Sequence, residues 1–433
     1  MLLQNWWYTT LLGLPAAGFP PLEGHHKAQV VIVGAGAAGL SVALTLSEHI
    51  SDIIILEKNI CGGGSTGKSA GFLTPDSELE LSQLLRRYGP EGAKDLWSVA
   101  TRGVDRIVQR VHEFGLDCDL QKQDSLFLGN DRSGWKEALE EVKARETLGF
   151  HQKIYSKEQL PHIIGSDAYT GGIRYSDTYG INALRYSQGL KKILHDRGVR
   201  IYESSEVYRI NEHTLETHLG TVTADQIIFC ADKIKATVSL YSQHIYHAQT
   251  FLSISEPLTP AQQHYLFPDG PLQCWDSDLV YSYFRMTGDH RLLLGGGSKW
   301  TTFSRHDVYN PHVMFGVIKR FMKKFPGLHD LKFIQYWPGR IDTTRDLIPT
   351  IVKDEKQPWI HYVLGCVGLP WATFCGDFVA NQILKKQEDD HKYYRYFRPE
   401  RKFLFPMWLE KIMGKELLFS LNNIWAKYYQ VDK

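Results

Sequence analysis

The segment Gln29-Val30-Val31-Ile32-Val33-Gly34-Ala35-Gly36-Ala37-Ala38-Gly39-Leu40 is a short apolar run that ends in three spaced glycines and continues into residues with helical bias. A second apolar run, Asp52-Ile53-Ile54-Ile55-Leu56, ends in Glu57. Together they predict a buried strand, a tight turn, a helix and a second strand tipped by an acid. Gly34 permits the turn, Gly36 lets the backbone approach a diphosphate, and Gly39 lets the helix pack closely on the sheet. The N–H groups of Ala37 and Ala38 at the helix start, with the positive end of its macrodipole, suit the phosphates. Glu57 is placed to accept hydrogen bonds from ribose hydroxyls, Lys58 stands beside it, and no arginine follows directly to welcome a 2′-phosphate. Glycine triplets also occur in loops that bind nothing, but here the strand, the apolar helix Leu40–Leu46 and the acid agree on an adenine-dinucleotide site, for FAD or NAD.

Cys61-Gly62-Gly63-Gly64-Ser65-Thr66-Gly67-Lys68-Ser69-Ala70-Gly71 follows, too glycine-rich for a helix or a central strand. Gly62 and Gly67-Lys68-Ser69 formally complete the phosphate-loop spacing GxxxxGK[ST]. That loop must leave a strand and open a helix, however, and the strand ending at Leu56 already serves the first motif. The stretch therefore reads as a second loop over the same cofactor. Ser65, Thr66, Lys68 and Ser69 supply donors to its diphosphate and ring.

Apolar spacing predicts helices over 77–85 and 91–114, and strands at 126–128 and 172–175. Asn182 to Arg197 reads as an amphipathic helix ended by Gly198, followed by strand patterns at 199–202 and 207–210. Gln226 to Ala231 is almost wholly apolar, as in a strand inside a parallel sheet. Residues 250–256, 279–286 and 291–294 read as antiparallel strands of a second sheet, and 311–325 as a helix. Last come the strand Tyr362-Val363-Leu364, the loop Gly365-Cys366-Val367-Gly368-Leu369-Pro370 and a helix from Trp371 to Leu384, which offers a second helix N-terminus to a ligand.

Six segments stand in one order: GAGAAGL with Glu57, GSTGKSAG, ADQIIFCAD, YFRMTGDHRLLLGGG, WPGRIDTTRDLIPTI and YVLGCVGLPWA. Over roughly residues 4 to 390 this order resembles the FAD-dependent amine oxidoreductase family of glycine oxidase, D-amino acid oxidase and sarcosine oxidase. QNWWYTT and AKDLW look most similar to its γ-glutamylputrescine oxidoreductase branch. The resemblance implies an α/β fold in which a Rossmann-type FAD-binding domain (28–84, 182–235 and 335–388) interleaves with a mixed or antiparallel-sheet substrate domain (85–181 and 236–334). An N-terminal arm (1–27) and a C-terminal tail (389–433) lie outside them. It adds Gly71, Val207, Gly339, Arg340, Gly365, Gly368, Leu369, Pro370 and Trp371 to the cofactor contacts, and Tyr283, Arg285, Arg340 and Trp371 to the substrate side. An arginine there would hold a carboxylate bidentately, or Arg285 and Arg340 would pair with Asp289, Asp342 or Asp346. Lys68, Ser69 and Ala70 stand where the family commonly has Arg, Asn and Gly. The position near Arg340 that is a flavin-bonded cysteine in sarcosine oxidases is not cysteine, so non-covalent FAD is expected.

The expected reaction is hydride transfer to flavin N5 from a C–H bond beside an amine nitrogen of a small amine or amino acid, the imine then hydrolysing. Oxygen or a quinone would take the electrons. Two other readings are a flavin-holding assembly protein that has lost turnover, and removal of a carboxymethyl group from a tRNA base. A net charge of +1, with no basic block outside the tail, argues against a nucleic-acid partner. Six scattered cysteines without a CxxC pair read as reduced thiols in the cytoplasm, not a disulfide framework or a metal site. Two uncharged runs, 1–22 and 28–47, are long enough to span a membrane, but prolines and polar residues break the first and the second is the glycine-turn unit. No transmembrane segment or signal peptide is expected. The tail mixes basic and aromatic residues, and places Leu417, Leu418, Leu421, Ile424, Trp425 and Tyr428 on one helical face. Docking on the chain's own body or on a second subunit is expected, with peripheral membrane contact as the alternative.

Overall fold

The structure is a computed structural model that describes all residues except 13–17, 77–78, 236–237, 299–306, 387–389, 402, 404, 407 and 426–433. The chain begins β1 (Leu2–Leu3), α1 (Trp6–Thr9), β2 (Gly24–Val33), α2 (Ala37–Leu46), β3 (Ile53–Leu56), β4 (Phe72–Leu73), α3 (Leu81–Glu113) and β5 (Gln121–Lys122). It continues β6 (Asp124–Gly129), α4 (Arg132–Leu148), β7 (Lys153–Ser156), β8 (Gly171–Tyr175), β9 (Tyr179–Gly180), α5 (Ala183–Asp196), β10 (Arg200–Tyr202), β11 (Arg209–Asn211), β12 (Thr214–Glu216) and β13 (Gly220–Phe229). Then come β14 (Tyr246–Pro257), α6 (Pro260–Leu266), β15 (Leu272–Asp276), β16 (Tyr283–Met286), β17 (Arg291–Gly296), α7 (Pro311–Lys324) and β18 (Phe333–Thr343). The last elements are β19 (Thr350–Lys353), β20 (Ile360–Leu364), α8 (Leu369–Ile383), α9 (His391–Phe397), α10 (Trp408–Met413) and α11 (Lys415–Trp425).

Two large sheets organise these elements. In the first, β10, β3, β2, β13 and β20 are parallel neighbours, with Val30 opposite Ile53 on one side and Gln226 on the other. Val30–Ile32 and Ile53–Ile55 are fully buried, as continuous apolar strands must be when both sheet faces are covered. Helix α2 is apolar nearly all round because it is enclosed by the sheet, α5 and α8. The second sheet has nine strands in the order β1-β18-β14-β17-β16-β15-β6-β8-β7, antiparallel except for the pairs β1/β18 and β6/β15. Phe251, Phe284 and Leu294 pack there against Met314, Val317 and Phe321 of α7.

Several elements depart from their sequence pattern for local reasons. Helix α3 starts at Leu81, where Glu141 accepts the N–H groups of Leu81 and Ser82, and breaks at Gly89 (φ 67°) before Pro90. Ser77, the expected start, lies outside the described residues. Residues 279–282 leave the expected strand because the Asp276 carboxylate accepts the N–H groups of Asp278 and Ser282. The strand expected at 207–210 begins only at Arg209. Trp337 to Thr343 belongs to β18 and pairs with β14 in the nine-stranded sheet, while α3 packs with α2 and α8 beside the parallel sheet.

The described part of the tail packs on the body. Tyr393, Tyr396 and Phe397 of α9 are buried against α3 and α8, with Phe397 edge-on to Trp371 and Phe378. Arg401 forks onto Asp346, and Phe419 of α11 stacks on Tyr246. Leu418 is buried and Leu417 half exposed; Tyr428 and the side chains of Ile424 and Trp425 fall outside the description. Among the described residues, no helix is long and apolar enough to cross a membrane.

Candidate cofactor and substrate site

The carboxyl ends of β2, β3, β13 and β20 lie side by side and open into one cleft, the place where parallel sheets take ligands. Its empty space, open mouth included, is about 1410 Å³. At the end of β2, Gly34 turns with φ 100° and donates its N–H to Leu56 (2.8 Å). Gly39 presses so closely on this turn that a Cβ would come within 1.9 Å of the Gly34 carbonyl. Gly36, Ala37 and Ala38 line the cleft at the start of α2.

Glu57 also lines the cleft, held by the N–H groups of Ala35 and Asn59, both at 2.9 Å. Burial raises its pKa, and those two N–H donors oppose the shift. The second glycine loop crosses the start of α2, where Thr66 Oγ1 accepts the N–H of Ala37 (3.1 Å). Ser65 donates to the Asp232 carboxylate and contacts the Arg340 carbonyl (2.9 Å). Burial, followed by the nearby Asp342 charge, raises the pKa of Asp232. Asp342 accepts the N–H of Lys233 (2.5 Å) and contacts His247 Nδ1 (2.9 Å).

The cleft gathers Gly34, Gly36, Ala37, Ala38, Glu57, Lys58, Ser65, Thr66, Ser69, Val207, Gly365, Gly368 and Leu369 from distant parts of the chain. Gly39, Lys68, Gly71, Gly339, Arg340, Pro370 and Trp371 are not among its lining residues. Lys68 sits by Gly339, and its pKa is lowered first by burial and then by Lys233. Arg340 pairs with Asp307 at 3.1 Å rather than with Asp342 or Asp346. Trp371 packs under the tail. Sequence reasoning did not single out Lys233 and named Asp342 only as an ion-pair partner, yet both line the cleft. Lys233 follows the carboxyl end of β13, and strand-end position was the signal that could have found it.

On the substrate side, Tyr283 meets Thr250 Oγ1 through its hydroxyl (3.2 Å) and lies edge-on to Phe72 (5.9 Å). Tyr281 and Trp275 extend this aromatic wall. Arg285 is fully buried and gives its N–H groups to the carbonyls of Ala70 (2.8 Å), Ile181 (2.8 Å) and Met286 (3.4 Å). Burial pushes its pKa down to about 10. The expected pairing with Asp289 is absent; the guanidinium ties the second glycine loop to β16.

The helix start, the close backbone approach at Gly36 and the acid at the end of β3 fit an adenine dinucleotide. The return of Gly365–Leu369 to the same cleft gives it an extended floor. Fold and site thus define a two-sheet dinucleotide-binding protein. The family model described as FAD dependent oxidoreductase matches residues 29–382, and the chain belongs to that family. FAD is therefore its cofactor. Gamma-glutamylputrescine oxidoreductase of Escherichia coli is 28% identical over 426 residues, 96% of this chain and 95% of that protein. A probable oxidoreductase of Haemophilus influenzae is 28% identical over 386 residues, 86% of each chain. The crystal structure of glycine oxidase from Geobacillus kaustophilus superposes with a TM-score of 0.74 at 18% identity, covering 87% of this chain and 99% of that one.

Proposed function

We propose that the protein is an FAD-dependent enzyme that oxidises the C–N bond of a small amine or amino acid. The observation that carries this reading is that the loop lining the cleft leads along the chain into an aromatic wall. The loop that supplies Ser65, Thr66 and Ser69 to the cleft runs directly into Phe72, whose ring faces Tyr283 and Trp275. An aromatic wall suits an apolar carbon chain or a cationic nitrogen. The names of gamma-glutamylputrescine oxidoreductase and glycine oxidase support a nitrogen-bearing substrate.

FAD, bound without a covalent link, would supply the acceptor for the hydride leaving the carbon beside nitrogen. Gly36, Ala37 and Ala38 would hold the diphosphate, Glu57 the ribose, and the start of α8 at Gly368–Leu369 the far end, where its N–H groups favour developing negative charge. Lys68 and Arg340 would add positive potential from behind the loop, and the aromatic wall would exclude water. Loss of hydride from the neutral amine would leave an iminium ion, which water hydrolyses to a carbonyl compound and an amine that carries the extra proton away as ammonium. Arg285 then acts through the loop it fastens, and Tyr283 is the substrate-side residue that remains at the wall. Oxygen or a quinone would reoxidise the flavin, and the free thiols suit a cytoplasmic setting.

Anaerobic mixing of the yellow protein with a panel of amines and amino acids tests the reading. Bleaching of the oxidised flavin band by members of the panel is expected. A spectrum unchanged across the panel refutes amine oxidation and leaves a flavin-holding protein without turnover. Reoxidation of the bleached protein by oxygen or by a soluble quinone separates oxidase from dehydrogenase.

A further inference from the structure

The N-terminal arm grips the second glycine loop by its carbonyls. Asn5 Nδ2 donates to Gly67 (2.7 Å), Trp7 Nε1 to Ser69 (2.8 Å) and the Tyr8 hydroxyl to Gly63 (3.2 Å). From the nine-stranded sheet, Trp337 Nε1 donates to Lys68 (3.0 Å) and Arg285 Nε to Ala70 (2.8 Å). The arm is itself anchored. β1 pairs in parallel with β18, Trp7 is almost fully buried edge-on to Trp337, and Asn182 donates to Thr10 (2.8 Å). Asn5 Oδ1 caps α1 on the N–H of Trp7 (3.1 Å), so one amide side chain both starts the helix and holds the loop.

A glycine-rich loop has many conformations to lose on binding a ligand, and fixing it beforehand removes that cost. Here the carbonyls are taken on one side while Ser65, Thr66 and Ser69 line the cleft on the other. We propose that the arm is a clamp that presets the FAD-facing loop, with Asn5 and Trp7 as positioning residues that act on FAD only through the loop backbone. The proposal rests on FAD occupying the cleft, and its first readout needs no FAD.

The test uses the full chain with Asn5→Asp, which keeps the capping oxygen and removes the donor to Gly67, and Trp7→Phe, which keeps a ring and removes the indole N–H. Leu12→Ala, on a residue 79% exposed, is the control. Amide hydrogen exchange of FAD-free protein is expected to speed up at 62–71 in both variants, with the β2–β13 sheet unchanged. FAD affinity, read by quenching of flavin fluorescence, is expected to fall about fivefold for each lost neutral hydrogen bond, equivalent to about 1 kcal/mol. Deleting residues 2–12 is expected to weaken FAD binding further, and adding a synthetic peptide of residues 1–12 to restore it. Unchanged loop exchange and FAD affinity in folded Asn5→Asp overturn the proposal. So does faster exchange spread evenly over the protein, which would make the arm a general stabiliser. Failure of the wild-type chain to bind FAD would strike the cofactor assignment instead, leaving the loop-exchange result to judge the clamp.

Discussion

Arg401→Ala should release the C-terminal tail at a cost set by the carboxylate left behind. Arg401 and Asp346 are 7% and 8% exposed and meet through two parallel hydrogen bonds of 2.7 Å. The same guanidinium reaches the Ile348 carbonyl (2.6 Å), Thr350 Oγ1 (2.9 Å) and the Arg398 carbonyl (3.2 Å). The Arg401 charge and its hydrogen bonds hold Asp346 below the usual carboxylate range, outweighing burial, which pushes the other way. Truncation strands a buried anion, which costs about 3 to 5 kcal/mol, against under about 1 kcal/mol for an exposed pair. Even the lower figure raises the population with the tail detached about a hundredfold. A depressed carboxylate stabilises above its unfolded pKa and loses that contribution as pH falls, so the difference between wild type and variant should shrink below about pH 4. Tryptic cleavage after Arg395, which precedes Tyr396 and is present in both proteins, under native conditions, alongside urea unfolding, measures both effects. Arg401→Met combined with Asp346→Asn should recover part of the loss, because no charge is stranded. A loss below about 1 kcal/mol at pH 7, or one independent of pH, would refute the buried-anion argument.

Three other substitutions probe the cleft and its sheet. Glu57→Ala should weaken FAD retention by freeing the Ala35 and Asn59 amides and removing the ribose acceptor, and unchanged flavin content in purified protein would rule out that role. Gly39→Ala places a methyl 1.9 Å from the Gly34 carbonyl, so α2 must shift; the expected result is loss of FAD binding and a lower melting temperature, and near-wild-type values would contradict the close approach. His361, 8% exposed, has its pKa lowered from 6.5 to about 4, chiefly by burial and then by Lys353. The unfolded chain takes up that proton first, so stability is lost as pH falls from 6.5 to 4, by about 3 kcal/mol at most, and His361→Gln should flatten acid unfolding over that window.

The parallel-sheet half of the fold was legible because its physics is local. Apolar runs at Val30–Val33, Ile53–Leu56 and Ile227–Phe229 are strands buried on both faces, and Gly34, Gly36 and Gly39 record a turn and two close approaches within a few residues. Glu57 could be placed because one helix and one strand set its distance from the glycine turn. The ordered motifs extended that reading to FAD and to the return of Gly365–Leu369. Residue type and spacing are enough for such features, since each is satisfied inside one βαβ unit or at one strand end.

What the chain could not disclose along its length is which groups are already engaged. Arg285 looked available to a carboxylate, yet its donors end on the Ala70, Ile181 and Met286 carbonyls, two of them far away in sequence. Trp371 stands beside the right helix start but turns under Phe397, because the tail covers that face. Trp337 to Thr343 carries a cofactor-family motif and nevertheless completes the nine-stranded sheet. Asn5 and Trp7 gave no signal of gripping Gly67 and Ser69, since a hydrogen bond between residues 62 positions apart leaves no local periodicity. The glycine turn and its acid were therefore written in the sequence as backbone geometry. The allocation of side chains between substrate, loop and tail was decided only when the two sheets, the arm and the tail met, because burial and hydrogen-bond satisfaction are properties of the packed whole.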